Sequence, residues 1–494
     1  MKHRMLDVVD CLAEQPVRVG LVLAGLVLLA TWFIQLVLLG LVVPQWSDGH
    51  GLVPGQDVSN FNRVAMEQAA LIQATGWTAW ELRPNGWGVS GILSAWYALT
   101  WPAPWAFAPV QALMYGTSGA VVFSLVRHLT GRPRWALLAV LPMLLPTAAF
   151  LYAQPHRDVF VLFGLALAIG GWGLLIQLVG MPPGRRWIVP LLGGAILVFS
   201  GFVVAWAVRA FTAEIFLGIS VLMAGFFTLV AGWEIGRKRS VVSLCSLSVP
   251  LVAVMLSAGM AEFHLGGHFD GRLAVAEAPE HVTEEAVSRR ESSESEELSE
   301  AMDAAREASG GEPSEILDAE EVADHGWRTS SWLPVAIDDR LRRLSGAREH
   351  FLSYCYARTA VDCDFFFRSF EDMLRYTPRA TQIGLASPFP HQWLPHEDAP
   401  PVRNVYRVAG GLEMLALYAV LPFVLYAIWG WRGRPILWVM LIPALSWVMV
   451  YAYAVPVVGA LLRYRSSAYI FILALAVAGL MRAIHDYRAR PRYE

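Results

Sequence analysis

Arg127-His128-Leu129-Thr130-Gly131-Arg132-Pro133-Arg134 separates an apolar run at 103–126 from a second one at 135–153. A short basic turn between two such runs is the mark of a chain that leaves a membrane and re-enters it. Basic residues recur at every second turn outward from this point: Arg185 and Arg186, Arg237-Lys238-Arg239, Arg432 with Arg434, then Arg482, Arg488, Arg490 and Arg492. The positive-inside rule puts these turns and both termini in the cytoplasm. The remaining loops then share the opposite face. They carry Asp57, Arg157-Asp158, Arg209 and Arg463-Tyr464-Arg465, so polar groups far apart in sequence are expected to meet there.

Composition supports this reading. Hydrophobic residues make up 56% of the 494, charged residues 16%, and there are 20 tryptophans. A soluble domain of this length needs more charge to cover its surface. Ten stretches approach the roughly 20 apolar residues that cross a bilayer. They fall near 19–43, 103–126, 135–153, 159–180, 187–208, 212–234, 241–262, 406–430, 435–456 and 466–484. The first is too long for a signal-peptide core and serves as an anchor. The expected fold is an all-α polytopic membrane protein with an outer-face loop domain. Its parts are a membrane domain at 1–262, an acidic linker at 263–325, an outer subdomain at 326–405 and a second membrane domain at 406–494. The net charge of −3 averages a basic face with an acidic loop. No basic patch is interleaved with aromatics, which argues against a nucleic-acid ligand.

The first outer loop holds Asp57 and then a helical pattern. Phe61, Val64, Ala65, Leu71 and Ile72 share one face, while Arg63, Glu67 and Gln68 lie on another. Asp57 or Ser59 suits the start of that helix. The apolar piece from Gly91 to Tyr97 is too short to span before Pro102 and Pro104, so a re-entrant or interfacial placement is expected. Residues 275–325 are rich in Glu, Ser and Ala without an aromatic, too polar to offset the entropy of ordering. Residues 326–405 regain aromatics, and one or two short helices are expected in 338–376, punctuated by Tyr376-Thr377-Pro378-Arg379-Ala380 and Ser387-Pro388-Phe389-Pro390.

Of the four cysteines, Cys11 and Cys245 read as plain thiols. Cys355 and Cys363 fall on the outer face, where oxidation is possible. On one continuous helix they would sit about 12 Å apart, so a disulfide requires a turn between them; the sequence leaves this open. Glu413 lies inside a span, where an ionised acid needs a partner such as Arg209 or Arg407. Glu214 is near an outer end and reads as solvated. His156, His264 and His268 show no metal-ligand spacing.

An anchor span, an acid early in the first outer loop and an amphipathic helix after it resemble the GT-C glycosyltransferases. So do Gln154-Pro155-His156-Arg157-Asp158 in the second outer loop and Gly459-Ala460-Leu461-Leu462-Arg463-Tyr464-Arg465 before the last span. The resemblance implies sugar transfer from a polyprenyl-phosphate-linked donor to a saccharide or lipid-linked acceptor among membrane lipids, in envelope or extracellular polysaccharide assembly. Such chemistry needs a base for the acceptor hydroxyl and positive charge for the departing phosphate. The resemblance assigns Asp57 as base and Asp158 as a second acid that orients the acceptor or holds a divalent cation, Mg or Mn. Arg157, Arg463 and Arg465 suit the donor phosphate, because guanidinium forks pair its oxygens. The chain departs from the pattern in one respect: Asp57 is followed by Val58, where the first acid is often doubled. It also lacks the Trp-Trp-Asp type motif of protein N-glycosylation. Two rival functions share much of this sequence, a transporter or flippase for a lipid-linked saccharide and a non-catalytic scaffold of a polysaccharide complex.

Overall fold

A computed structural model describes residues 15–53, 57–179, 185–209, 211–238, 326–357, 359–395 and 401–489. The 241–262 run, the acidic stretch, Cys11, Cys245, His264 and His268 lie outside these residues. The ordered elements are helical. They are α1 (Pro16–Trp32), continued by a wider π-helical segment (Phe33–Val42), α2 (Asp57–Thr75), α3 (Gly88–Leu99), α4 (Pro104–Thr130), α5 (Pro133–Val140), α6 (Pro146–Tyr152), α7 (Arg157–Ile176), α8 (Arg185–Val208) and α9 (Thr212–Lys238). After the undescribed segment come α10 (Val335–Leu352), α11 (Phe370–Ala386), α12 (Pro401–Val420), α13 (Phe423–Trp431), α14 (Pro435–Ala454) and α15 (Val458–Arg488). Among the described residues, eight helical stretches are long and apolar enough to cross a membrane. They match eight of the ten expected spans.

The opening octapeptide folds as its sequence dictates. Gly131 takes the left-handed conformation (φ 70°) after α4, and its N–H bonds back to the Arg127 carbonyl at 2.8 Å. Pro133 then starts α5, at the position where a helix needs no donor.

One expected span is not continuous. Residues 135–153 form α5, a 3-10 turn at Leu141–Leu144, and α6. Pro142 and Pro146 each remove a donor and clash with the preceding turn, so no single helix survives. The path still crosses the bundle, from Arg132 to Arg157. Buried polar side chains take up carbonyls freed at and beyond the break. Tyr115 Oη donates to Met143 O (2.8 Å), Gln35 Nε2 to Ala153 O (2.7 Å), and Gln111 Nε2 to Gln154 O (2.5 Å) and to Tyr152 O.

The close α7–α8 pair rests on glycine. A Cβ on Gly164 would lie 2.6 Å from Gly201 O, and one on Gly171 would lie 2.6 Å from Gly194 O. Glycines seven apart on each antiparallel helix therefore let the backbones touch at two levels.

Charge sorts to the two ends of the bundle as expected. Arg132 Nη2 meets His485 Nε2 (3.0 Å), Arg434 donates to Leu129 O, and Tyr426 donates to Asp486 (2.8 Å) at one end. Asp57, Arg157, Arg209 and Arg463 gather at the other. On that second face α10 and α11 form the subdomain expected from 338–376. Tyr376-Thr377-Pro378-Arg379-Ala380 is not a break, however, but the interior of α11. Met373, Tyr376, Ala380, Ile383 and Gly384 are buried at helical spacing, and Ser369 caps the start through Asp372 N (3.2 Å). That one-sided burial outweighs the proline. Cys355 and Cys363 are bonded, with Cα atoms 6.0 Å apart, because the chain turns directly after α10. Glu214 is not simply solvated: Arg343 (3.2 Å) and Arg340 (3.5 Å) of α10 pair with it.

Candidate functional site

Three helix termini and one inter-helix turn build the polar cluster. Asp57 opens α2, Arg157 and Asp158 open α7 behind His156, Arg209 follows the last turn of α8, and Arg463 lies in the second turn of α15. The loops are tied together before any of these groups meets. Gln154 Oε1 accepts from Val53 N (3.4 Å), joining the first outer loop to the second. Ser467 Oγ donates to Asp158 O (3.2 Å), and the Tyr152 and Ser466 hydroxyls lie 2.9 Å apart, joining the start of α15 to the start of α7. Ser90 Oγ donates to Phe61 O (3.0 Å) and Tyr97 Oη to Asn62 Oδ1 (2.8 Å), seating α2 on α3.

At the rim, Arg157 Nη2 (3.0 Å) and Arg463 Nη2 (2.9 Å) both donate to one oxygen, Asp57 Oδ2. The Asp57 side chain keeps 42% exposure, while each arginine keeps 21%. Beneath them Asp158 is 1% exposed. Its Oδ2 is 2.6 Å from His156 Nδ1 and 3.7 Å from Arg463 Nε, and its Oδ1 is 3.5 Å from Arg209 Nη2. His156 Nδ1 also lies 3.4 Å from the Asp158 backbone nitrogen. The shorter contact is with a charged oxygen and selects the Nδ1–H tautomer, leaving Nε2 as an acceptor. Arg209 is stacked on the Tyr464 ring at 4.4 Å, and Arg157 lies over Phe61 at 5.2 Å.

Burial alone would raise the Asp57 pKa, but the neighbouring Arg463 and Arg157 charges outweigh it and hold the carboxyl below its usual value. Burial pushes His156 down despite the Asp158 carboxylate beside it, so the ring is neutral near pH 7. Three guanidinium groups against two carboxylates then leave one net positive charge. The hydrogen bonding is also incomplete. Among the described residues, four buried side-chain nitrogens of this cluster have no hydrogen-bond partner: His156 Nε2, Arg157 Nε, Arg209 Nε and Arg463 Nε. Unsatisfied buried groups are costly, and such a concentration marks a place built for something polar.

Four of the five residues singled out in sequence thus come together: Asp57, Arg157, Asp158 and Arg463. Arg465 does not. Two residues along a helix is about 200° of rotation, so it leaves α15 on the face opposite Arg463. There it is 2% exposed and donates to Ile383 O (3.3 Å), Ser387 Oγ (3.3 Å), Gly384 O and Ser387 O, with the Tyr469 ring 4.6 Å away. Its donors hold the end of α11. Arg209 was legible as an outer-face arginine but not as a partner of Asp158. His156 has no metal-ligand spacing and enters the site as the neighbour of Asp158, and Tyr451 lies in an apolar helix that gives it no sequence signal.

A divalent cation does not fit this arrangement. Both carboxylates face guanidinium groups, which repel a dication, and no group of three or more His, Cys, Asp or Glu among the described residues could hold a metal. The donor set suits an anion.

Fold and composition define an all-α, multi-pass membrane protein with a polar, cationic cluster at one end of its bundle. Comparison with protein-family models, with curated proteins and with solved structures returns no match for this chain.

Proposed function

We propose that this protein is a membrane-embedded glycosyltransferase of the GT-C type, taking a sugar from a polyprenyl-phosphate donor for envelope polysaccharide assembly. The cluster then faces the outside of a bacterial inner membrane, with both termini in the cytoplasm. The observation that carries the proposal is the convergence of Arg157 and Arg463 on a single oxygen of Asp57, above buried polar atoms with no partner. A carboxylate and two arginines in one contact are the base and the anion site that the reaction needs.

In this mechanism the donor phosphate takes the Arg157 and Arg463 guanidinium groups and displaces Asp57 from them. The freed carboxylate accepts the proton of the acceptor hydroxyl. That oxygen bonds to the anomeric carbon as the bond from this carbon to the phosphate oxygen breaks. Polyprenyl phosphate leaves with its new negative charge on the two arginines. Asp158, braced by His156 and Arg209, keeps Arg463 in place through Nε. No step requires a metal.

The test is a transfer assay on purified protein in lipid nanodiscs, with a panel of radiolabelled polyprenyl-phosphate sugars and saccharide acceptors. Release of free polyprenyl phosphate by the wild type, abolished in Asp57→Asn, is the expected result. Movement of an intact donor across proteoliposomes without release would establish the flippase alternative instead.

A further inference from the structure

Trp332-Leu333-Pro334-Val335-Ala336-Ile337 is a run of six apolar residues on the outer subdomain, and it is not packed away. Trp332 is 64% exposed, Val335 71% and Ile337 48%. This exposure is built in. The buried Asp338 carboxylate accepts from Trp327 Nε1 (2.9 Å) and Ser330 N (3.3 Å), which clamps the base of the loop, and one edge of Trp332 packs on Phe370 (5.4 Å). A contiguous exposed apolar patch on a clamped loop marks an interaction surface.

The course of α10 shows what that surface meets. Near its C-terminal end, Arg348 donates to Tyr453 O (3.0 Å), at the end of the membrane helix α14. In its middle, Arg340 and Arg343 pair with Glu214 in the first turn of the membrane helix α9. Helix α9 packs on α14 and turns Val221, Leu222, Leu229 and Trp233 outward, each more than half exposed. Helix α10 therefore runs from α14 to the end of α9, and its apolar N-terminal turn lies beyond the Glu214 contact. Glu214 fixes its height at the end of a span. Past the buried Asp338 and the exposed Asp339 that end the apolar turn come Arg340, Arg342 and Arg343, with the Arg340 and Arg343 side chains still 39% and 55% exposed. Apolar and aromatic tips followed by arginines match the layering of acyl chain and phosphate at a bilayer surface.

We propose that the Trp332–Ile337 turn inserts into the interfacial region of the leaflet on the Asp57 side, with the arginines of α10 at headgroup-phosphate level. The subdomain beside the polar cluster is then held by lipid as well as by α14. This inference does not depend on the transferase reading.

The experiment uses the full chain with Cys11→Ser and Cys245→Ser, leaving the disulfide intact. An environment-sensitive nitrobenzoxadiazole label is attached at Ile337→Cys, at Val335→Cys and, as a control, at the exposed Gly346→Cys. In nanodiscs carrying lipids spin-labelled near the glycerol backbone, the labels at 335 and 337 should shift to the blue and lose intensity, while the label at 346 keeps its aqueous spectrum. Two results overturn the proposal. One is an aqueous spectrum with iodide quenching at both 335 and 337. The other is shielding from iodide and from the spin-labelled lipid alike, which would mean that protein covers the turn. A misfolded variant is recognised by labelling of Cys355 and Cys363 without reductant, and the second position then decides.

Discussion

Arg463 Nη2 lies 2.9 Å from Asp57 Oδ2, across 406 residues of sequence. The contact closes the bundle at one end, since α15 is the last helix and Asp57 stands between the first and second spans. It also sets a competition, because an arginine that neutralises Asp57 cannot at the same time serve an incoming anion through that donor.

Asp57→Asn keeps the shape of the side chain and removes its charge. In the proposed mechanism turnover falls by about 10²–10⁴-fold. Binding of the donor lipid is retained or tightened, since both arginines lose a competitor. Single-turnover transfer and equilibrium binding to the purified variant separate the two effects, and normal transfer by the variant would remove Asp57 from the chemistry.

Arg463→Ala and Arg465→Ala, two residues apart, should fail differently. Loss of Arg463 weakens donor binding by about 1.5–3 kcal/mol, the worth of a charge-assisted bond, and lowers the melting temperature less than loss of Arg465 does. Loss of Arg465 strands the carbonyls at the end of α11 and destabilises the fold by on the order of 3 kcal/mol. Thermal unfolding in detergent and donor titration check the pair. Equal melting temperatures would contradict the structural role of Arg465.

Asp57 also predicts a pH dependence. Its pKa is held below 3.8 in the folded protein. A depressed carboxylate stabilises the fold above its unfolded pKa, and that contribution disappears as pH falls through the folded value. Wild type should therefore lose more melting temperature than Asp57→Asn between neutral pH and the acid side of 3.8. If phosphate displaces Asp57 from its arginines, the acid limb of kcat lies at higher pH than that of kcat/KM. Coincident limbs would argue against the exchange.

The Cys355–Cys363 bond closes a loop with a sequence separation of 8. Loop-closure entropy for so short a ring gives about 2.5 kcal/mol. A double Cys→Ser variant should melt lower by a corresponding amount while keeping the α10–α11 pair, as read by thermal unfolding and limited proteolysis. Unchanged melting would show that the turn after α10 is ordered without the bond.

Hydropathy and charge sufficed for eight of the ten expected spans and for sorting the ends, because in lipid both are set by residue type over long windows. They also put Asp57, Arg157, Asp158 and Arg463 on one face. What they lacked was rotation about the helix axis. Arg463 and Arg465 are alike in composition and in loop position, and only the 3.6-residue period separates a rim arginine from one spent on backbone carbonyls. The break in 135–153 was written in Pro142 and Pro146 but outweighed by the apolar residues around them. Pro378 erred in the other direction, since the one-sided burial of α11 kept helical a segment that its proline marked as a stop. The Asp158–Arg209 pair depends on which helices are neighbours, and no single segment states that.

The glycine contacts between α7 and α8 give the cluster a mechanical property. Gly164 against Gly201 and Gly171 against Gly194 bring the two backbones together at two heights, so the pair behaves as one stiff strut. Asp158 sits at the tip of one helix and Arg209 at the tip of the other. Their separation is therefore gauged from below, by contacts as far as about 20 Å away along the axis. A side chain introduced at Gly171 would pry the strut open at its foot and splay the tips, misaligning a charge pair that it never touches.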